Sequence, residues 1–493
     1  MFNESFIQSP LKFLESMLGT LESPDDLADY NQFWESEGIH ISTAVDRAGT
    51  PWIKKYDLHG RQIDEIMYPP DYWRMLRRGY QAGAVWRAFS NSLRDAYQFG
   101  YLTSFYDTGL YCPYTVTLAT AAAVDKYAAG AVRETTLHHL LDESGANWQG
   151  ATWMTEIGGG SDLGASVKTR ATQIDPERNL WHLNGDKYFS SNANADIAVV
   201  AARPENSREG VRGLALFLVP RQREDGTLNV TLRRMKDKIG TRSVPTGEIE
   251  LINSEAYLLG EASHGIYLIM EVLNLSRVCN NVGSIALAHR AFLDAYHFAA
   301  NRQVFGKRLI DQPLMRRQFE TRCHDLKRGF CMAWETVKLL EEIWKEPAPH
   351  YSDRFHYFRL ITHLAKYWTA EFAAQTAKWA MEVNGGQGTL AEFGVERWLR
   401  EAMIVNIWEG PPHRQMLDGL EVMDRKRAHE TLFAELGNYA DPADLEIVRA
   451  RIDALLALPQ DQREAEVGDL FPFLANWTAD LLLRKYEGEK IDR

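Results

Sequence analysis

The chain has 493 residues, 45% of them hydrophobic, which gives room for about three domains of ordinary size with buried cores. Its 67 Asp and Glu against 55 Lys and Arg leave a net charge of −12, which argues against a protein whose whole surface binds nucleic acid and leaves only a local basic patch open. The cysteines Cys112, Cys279, Cys323 and Cys331 form no C-x-x-C pair and no ligand-spaced group with histidine, so neither a metal site nor a disulfide scaffold is indicated. A reducing compartment fits them best. Met1-Phe2-Asn3-Glu4-Ser5 lacks the basic start and apolar core of a secretory signal, and no long uncharged apolar run follows. The expectation is a soluble cytoplasmic protein that does not enter a membrane.

In chain order, residues 11–21, 24–34, 72–99 and the alanine-rich 116–131 carry helical spacing, and residues 36–70 read as an irregular insertion punctuated by Gly49-Thr50-Pro51 and Tyr68-Pro69-Pro70. The texture changes at Trp153. Short β-rich runs such as Ala198-Val199-Val200-Ala201 and Leu214-Ala215-Leu216-Phe217-Leu218-Val219 follow, separated by turns at Asn184-Gly185, Pro204 and Asp225-Gly226. With no helix between these runs, the pattern predicts an antiparallel sheet or small barrel and not a doubly wound parallel sheet. From His264 the period is helical again: one long helix, then 313–343, 352–383 and 394–407, which predicts a four-helix bundle. Apolar positions such as Ile447, Val448 and Ile452 in the charged tail predict a helical cap.

Five stretches invite chemistry, and each has a plain structural reading beside it. Met154-Thr155-Glu156-Ile157-Gly158-Gly159-Gly160-Ser161-Asp162 can turn backbone N–H groups toward an anion or a ring edge, or be a tight surface turn; it has neither G-x-G-x-x-G spacing nor the lysine of a P-loop. Phe189 between Tyr188 and the hydroxyls of Ser190 and Ser191 suits a planar cofactor, or is a buried strand residue. Arg302-Gln303-Val304-Phe305-Gly306-Lys307 offers a guanidinium fork for phosphate, or is a basic helix end complementing the helix dipole, with Gly306 letting the helix stop. Val383-Asn384-Gly385-Gly386-Gln387-Gly388-Thr389 is a close-approach glycine turn or a helix linker. Glu409 in Ile407-Trp408-Glu409-Gly410 is a base after an apolar run or a surface acid.

The order Thr155-Glu156, Gly160-Ser161-Asp162, Asn184-Gly185-x-Lys187, Arg302-x-x-Phe305-Gly306, Gly385-Gly386-x-Gly388, Glu409-Gly410 closely resembles the acyl-CoA dehydrogenase family of flavoproteins across residues 80–425. Leu309-Ile310-Asp311-Gln312-Pro313-Leu314-Met315-Arg316 and Ile407-Trp408-Glu409-Gly410 resemble its AidB-like branch. The resemblance implies an α+β fold that agrees with the periodicity: an N-terminal helical domain (1–152), a middle antiparallel β-barrel (153–260) and a C-terminal four-helix bundle (261–425), to which the pattern of the tail adds a helical extension (426–493).

It also implies bound FAD. Met154 and Thr155 would meet the flavin edge, Gly160 and Ser161 would line the cofactor and pantetheine path, and Phe189, where most members have Trp, and Ser191 would pack on the ring. Arg302, Phe305 and Gln312 would grip the FAD of a neighbouring subunit, with Gly385 and Gly386 closing over its phosphates, so a homotetramer or homodimer is implied. Ser161 and Arg277 would contact substrate, and Glu409 would take the α-proton of an acyl thioester while the β-hydride goes to FAD. Glu382, where relatives often have Gln, is set aside because a carboxylate near phosphates is unfavourable.

The departure is Pro411-Pro412-His413, where relatives usually have Thr-Ser: a hydroxyl contact to FAD is lost, the backbone stiffens, and His413 is a second acid/base group or an exposed loop residue. The sequence names neither the acyl chain nor the electron acceptor. A second reading is an AidB-like protein that protects DNA, against which Asp441, Asp444, Glu446, Asp461, Glu464 and Glu466 of the tail weigh through charge repulsion. A third is a flavin oxidase or N-hydroxylase on the same scaffold.

Overall fold

The computed structural model describes residues 9–488, in two compact units: Asp25–Ser276 with Pro347–Pro349, and the described residues up to Pro24 with Arg277–Glu346 and those from His350 on. In the first unit the single helix predicted over 72–99 is three, Tyr72–Ala82, Arg87–Ser90 and Leu93–Tyr106. Gly83 stops the first in the left-handed conformation, and Ser92 starts the last by accepting the Asp95 N–H at 3.0 Å. These stop and start signals interrupt a periodicity that reads as continuous. Leu93–Tyr106 and Thr108–Tyr127 are buried on almost every side, polar residues such as Asp95, Gln98, Thr103 and Thr117 included. Residues 36–70 are ordered after all: the helix Ile39–Ala48 leads into an antiparallel hairpin of β1 (Trp52–Tyr56) and β2 (Gln62–Met67).

The sheet that follows comprises β3 (Gly150–Trp153), β4 (Arg170–Asp175), β5 (Leu180–Ser191), β6 (Ile197–Pro204), β7 (Ala215–Pro220), β8 (Thr231–Met235) and β9 (Thr246–Leu258). Strands β6, β4, β5, β9 and β7 close on one another because β7 pairs with both β9 and β6, while β3 joins β6 and β8 joins β9. This is the expected barrel with one correction: β3 and β4 both run parallel to β6, since alternation reveals a strand's faces but not its neighbour's direction. Trp153, Trp181, Leu183, Val200, Phe217, Ile249 and Leu251 fill the interior. Every residue of β6 is buried, hence its apolar run from Ile197 to Ala202. Asn184-Gly185 is no turn but lies inside β5 at a bulge; a Cβ on Gly185 would come within 2.7 Å of the Thr169 Cα, so only glycine fits there.

In the second unit, the helix Gly265–Asn301 from Arg277 onward and the helices Pro313–Ile343, Asp353–Asn384 and Val395–Ile407 form the bundle. Phe319 joins three of them, its ring 5.5 Å from Phe292 and 4.7 Å from Trp379. Trp398 Nε1 donates to Asp294 at 2.8 Å and ties in the fourth. Phe13 of the helix Pro10–Leu18 packs edge-on against Phe330 at 5.3 Å. The tail is helical as expected, as Ala428–Leu436, Pro442–Leu456 and Gln460–Glu487. Its last helix docks on the bundle through Trp368 Nε1 to Asn476 Oδ1 at 2.9 Å and Lys485 Nζ to Glu335 at 2.7 Å. Among the described residues no helix is long and apolar enough to cross a membrane.

Candidate active site

Glu409 follows the bundle helix Val395–Ile407 and is held with φ of 59°, a conformation that costs a non-glycine residue of order 1–3 kcal/mol and persists only where its surroundings enforce it. They do so through the main chain. The Glu409 carbonyl accepts Arg277 Nε at 3.1 Å and Gln415 Nε2 at 2.9 Å, and Gln415 Nε2 also donates to the Gly410 carbonyl at 2.9 Å. Arg277 is in turn fixed by Asp418 Oδ2 at 3.2 Å, and Arg414 donates to Oδ1 of the same carboxylate at 2.9 Å. On the preceding turn, Lys366 Nζ donates to the carbonyls of Val405 and Asn406 at 3.0 and 2.9 Å, satisfying acceptors that a helix C-terminus leaves open.

Glu409 Oε2 is buried and takes no hydrogen bond. Burial raises the acid to about 7, against the lowering effects of first Arg277 and then Lys366. Lys366 is lowered to about 7, again chiefly by burial. A carboxyl group poised near neutrality inside a cationic pocket is what proton abstraction at ordinary pH requires.

Pro411 and Pro412 do not stiffen a loop. Pro411 caps and Pro412 opens the helix Pro412–Lys426, where a proline's missing N–H costs nothing. This helix carries Gln415 and Asp418 toward Glu409, while His413 is exposed on its first turn. Prolines at this place are therefore a helix start that sets Gln415 beside Glu409.

Elsewhere in this unit, Gly306 does not end a helix. With Phe305 it forms the two-residue turn, both at positive φ, of a small hairpin between Gln303–Val304 and Lys307–Arg308. Phe305 is 97% exposed, Arg302 is exposed beside it, and Gln312 Nε2 braces the hairpin through the Val304 carbonyl at 3.0 Å. Gly385 and Gly386 open a short 3-10 turn, Gly385–Thr389, and face open space. Glu382 pairs with Lys378.

In the first unit Met154, Thr155, Gly160 and Ser161 lie on one stretch and Phe189 and Ser191 on another, and hydrogen bonds join the two. The Tyr188 N–H donates to the Thr155 carbonyl at 2.9 Å, joining the two stretches. A Cβ on Gly160 would lie 2.7 Å from Thr155 Oγ1, so glycine is required for the loop to fold back there. Met154 is buried, whereas Gly160 and Ser161 are exposed. Glu156 anchors the loop from beneath: it accepts Lys187 Nζ at 2.7 Å, the Lys168 N–H at 2.7 Å and Thr169 Oγ1 at 2.6 Å. Phe189 is not the buried strand residue of the plain reading, being 54% exposed. Ser191 Oγ lies 3.4 Å from Thr246 Oγ1.

Sequence reasoning missed Lys236, whose Nζ lies 3.1 Å from the Tyr188 ring centre and 5.2 Å from that of Phe189; it sits in another strand region and no spacing links it. It also missed His363, Lys366, Gln415 and Asp418. A lysine amid Leu364, Ala365 and Trp368 was the available signal, since an unpaired ammonium is not placed in an apolar stripe.

Comparison with known proteins bears on the family and the fold. Residues 263–423 match the acyl-CoA dehydrogenase C-terminal domain, residues 151–254 its middle domain, and residues 7–146 the adaptive response protein AidB N-terminal domain, so the likeness begins well before residue 80. AidB of Escherichia coli (strain K12) is 30% identical over 429 residues, 82% of this chain and 76% of that protein. The fold is similar to that of Caenorhabditis elegans ACDH-11 in complex with C11-CoA, with TM-score 0.80 and 24% identity over 99% of this chain and 87% of that one. It is likewise similar to a Bacillus anthracis acyl-CoA dehydrogenase complexed with FAD, with TM-score 0.75 and 18% identity over 95% and 82%. Helices, barrel and bundle in this order, with a buried glutamate beyond the bundle's last helix and a 30% identical relative spanning most of the chain, make this chain a member of the acyl-CoA dehydrogenase family of FAD-dependent oxidoreductases, in its AidB-like branch.

Proposed function

We propose that Glu409 removes the α-proton of a fatty acyl-CoA thioester in an α,β-dehydrogenation. The observation that carries this is the buried, hydrogen-bond-free Oε2 on an acid raised to about 7. Arg277 and Lys366 keep the carboxylate form accessible despite burial, and burial keeps it basic enough to take a carbon-bound proton. The residues fit FAD on their own evidence: Phe189 offers an exposed ring, Ser190 Oγ is buried without a hydrogen bond, and the Gly160 turn lies folded against Thr155. Met154, Thr155, Gly160, Ser161, Phe189 and Ser191 would hold the ring system, and FAD when bound supplies the acceptor for the β-hydride. Arg302, Phe305, Gln312, Gly385 and Gly386 are proposed to hold the cofactor of a neighbouring copy in a homodimer or homotetramer. Ser161 and Arg277 are proposed substrate contacts, Arg277 through its neighbourhood with Glu409. The nematode relative's C11-CoA complex supports an acyl-CoA of that length, and four cysteine thiols support a cytoplasmic location.

The test is anaerobic mixing of the yellow protein with undecanoyl-CoA. Bleaching of the flavin is expected; if acyl-CoA thioesters of short, medium and long chain all leave the spectrum unchanged, the reading is abandoned. The bleaching rate should rise with pH to a plateau with a midpoint near 7, because the base works only when deprotonated and burial holds its proton on. In Lys366→Met the midpoint should move upward, since a cation that favours the carboxylate is gone; an unmoved midpoint contradicts the pairing.

The AidB N-terminal match favours a second reading, DNA protection. Asp441, Asp444, Glu446, Asp461, Glu464 and Glu466 are exposed on the tail, which works against binding phosphates. A salt-dependent gel shift of duplex DNA at low micromolar protein would favour the second reading over the first.

A further inference from the structure

The base is held by its backbone, and the group that holds it most fully, Gln415, is itself oriented by one side chain. Gln415 and His363 are both completely buried. The two hydrogens of the Gln415 amide are committed to the carbonyls of Glu409 and Gly410, each at 2.9 Å. Its oxygen therefore faces His363 Nδ1, 2.9 Å away. An amide oxygen only accepts, so Nδ1 must carry the imidazole's proton and Nε2 must be bare. Nε2 is buried and takes no hydrogen bond, as that tautomer allows. Burial and the nearby Arg277 hold the ring neutral.

We infer that His363 is a positioning residue for Glu409. By donating from Nδ1 it fixes which way round the Gln415 amide sits, and so keeps Glu409 in its left-handed turn. With the amide reversed, its oxygen would meet two carbonyl oxygens and the turn would lose two of its donors. Lys366, one helical turn along from His363, secures the chain just before the base, so one face of a single helix braces both sides of the turn. The charged groups around the ring are Arg277, Arg359 and Asp418. This inference rests on Glu409 being the base.

The experiment compares the holoprotein with His363→Leu, His363→Asn, Gln415→Met and Glu409→Gln. Two readouts are taken with undecanoyl-CoA: anaerobic flavin bleaching over a range of concentrations, and deuterium uptake at the α-carbon in D₂O by mass spectrometry, which isolates the proton step. His363→Leu is expected to lower the limiting rate and the exchange by roughly 10- to 100-fold, as a misplaced catalytic group does, with unchanged flavin content and an unchanged half-saturating concentration. Asn places an amide N–H where Nδ1 stood, so His363→Asn should recover most of the loss. Gln415→Met should match His363→Leu, and the double variant should be no worse than either, because both act through one contact. Equal losses for Leu and Asn, or full activity in either His363→Leu or Gln415→Met, overturns the inference. If His363→Leu does not fold, the Asn and Met variants still decide it. Exchange that survives in Glu409→Gln instead removes the base assignment, a separate failure.

Discussion

Glu409→Gln is expected to slow anaerobic flavin bleaching by undecanoyl-CoA by about 10²–10⁴-fold, the usual contribution of a positioned base, while the protein stays yellow and folded. The split is expected because the residues that shape the turn bind its main chain: Arg277 Nε and Gln415 Nε2 both reach the Glu409 carbonyl, and glutamine keeps both bonds. No hydrogen bond to Oε2 is lost either, since none exists. Thermal stability should be equal or higher, because a buried carboxylate that pays a desolvation cost has become a neutral amide. A variant that bleaches within a few-fold of wild type sinks the assignment, and one that loses its flavin or melts early shows a structural role instead.

Lys187→Met is expected to be the most damaging single change in the barrel, destabilising it by about 3–5 kcal/mol, as breaking one side of a buried ion pair does. Lys187 is fully buried and donates to Glu156 Oε1 and to the Ala201 carbonyl, both at 2.7 Å. Burial alone would push Glu156 up, yet the lysine holds it below the ordinary carboxylate range. Without the cation, a buried charge remains under the Thr155–Ser161 loop, so flavin content should fall along with stability. Urea unfolding and the absorbance ratio of flavin to protein read the two effects. The double variant Glu156→Gln with Lys187→Met should recover part of the loss, since neither ion is then left uncompensated. A Lys187→Met protein as stable as wild type would show that the pair contributes little.

Much of this molecule is readable from residue order. Helical and twofold periodicities locate bundle and barrel because each reports which face is buried, a local property. What periodicity cannot report is a neighbour's identity or direction. The parallel pairing of β4 with β6 and the bulge at Gly185 both depend on strands met across the barrel. Gly83 and Ser92 were readable as caps, but the apolar positions on either side concealed them. At the site, Glu409 and Arg277 stand in recognisable stretches, whereas Gln415 and His363 acquire meaning only when helices from different parts of the chain meet. Pro411-Pro412 reads in the sequence as a stiffened backbone; what the residues alone do not show is that it stands at the first turn of a helix, where proline is a helix starter.

The barrel's closure also says something about how the chain must be made. Before residue 246 exists, the strands already synthesised can form only an open sheet, with the twelve-residue β5 at one edge and β7 at the other. β9 pairs with both of these strands and with β8, so a single late segment, Thr246–Leu258, seals the ring. A nascent or truncated chain that stops short of it presents two unpaired edges to its neighbours, the condition under which sheets add to one another.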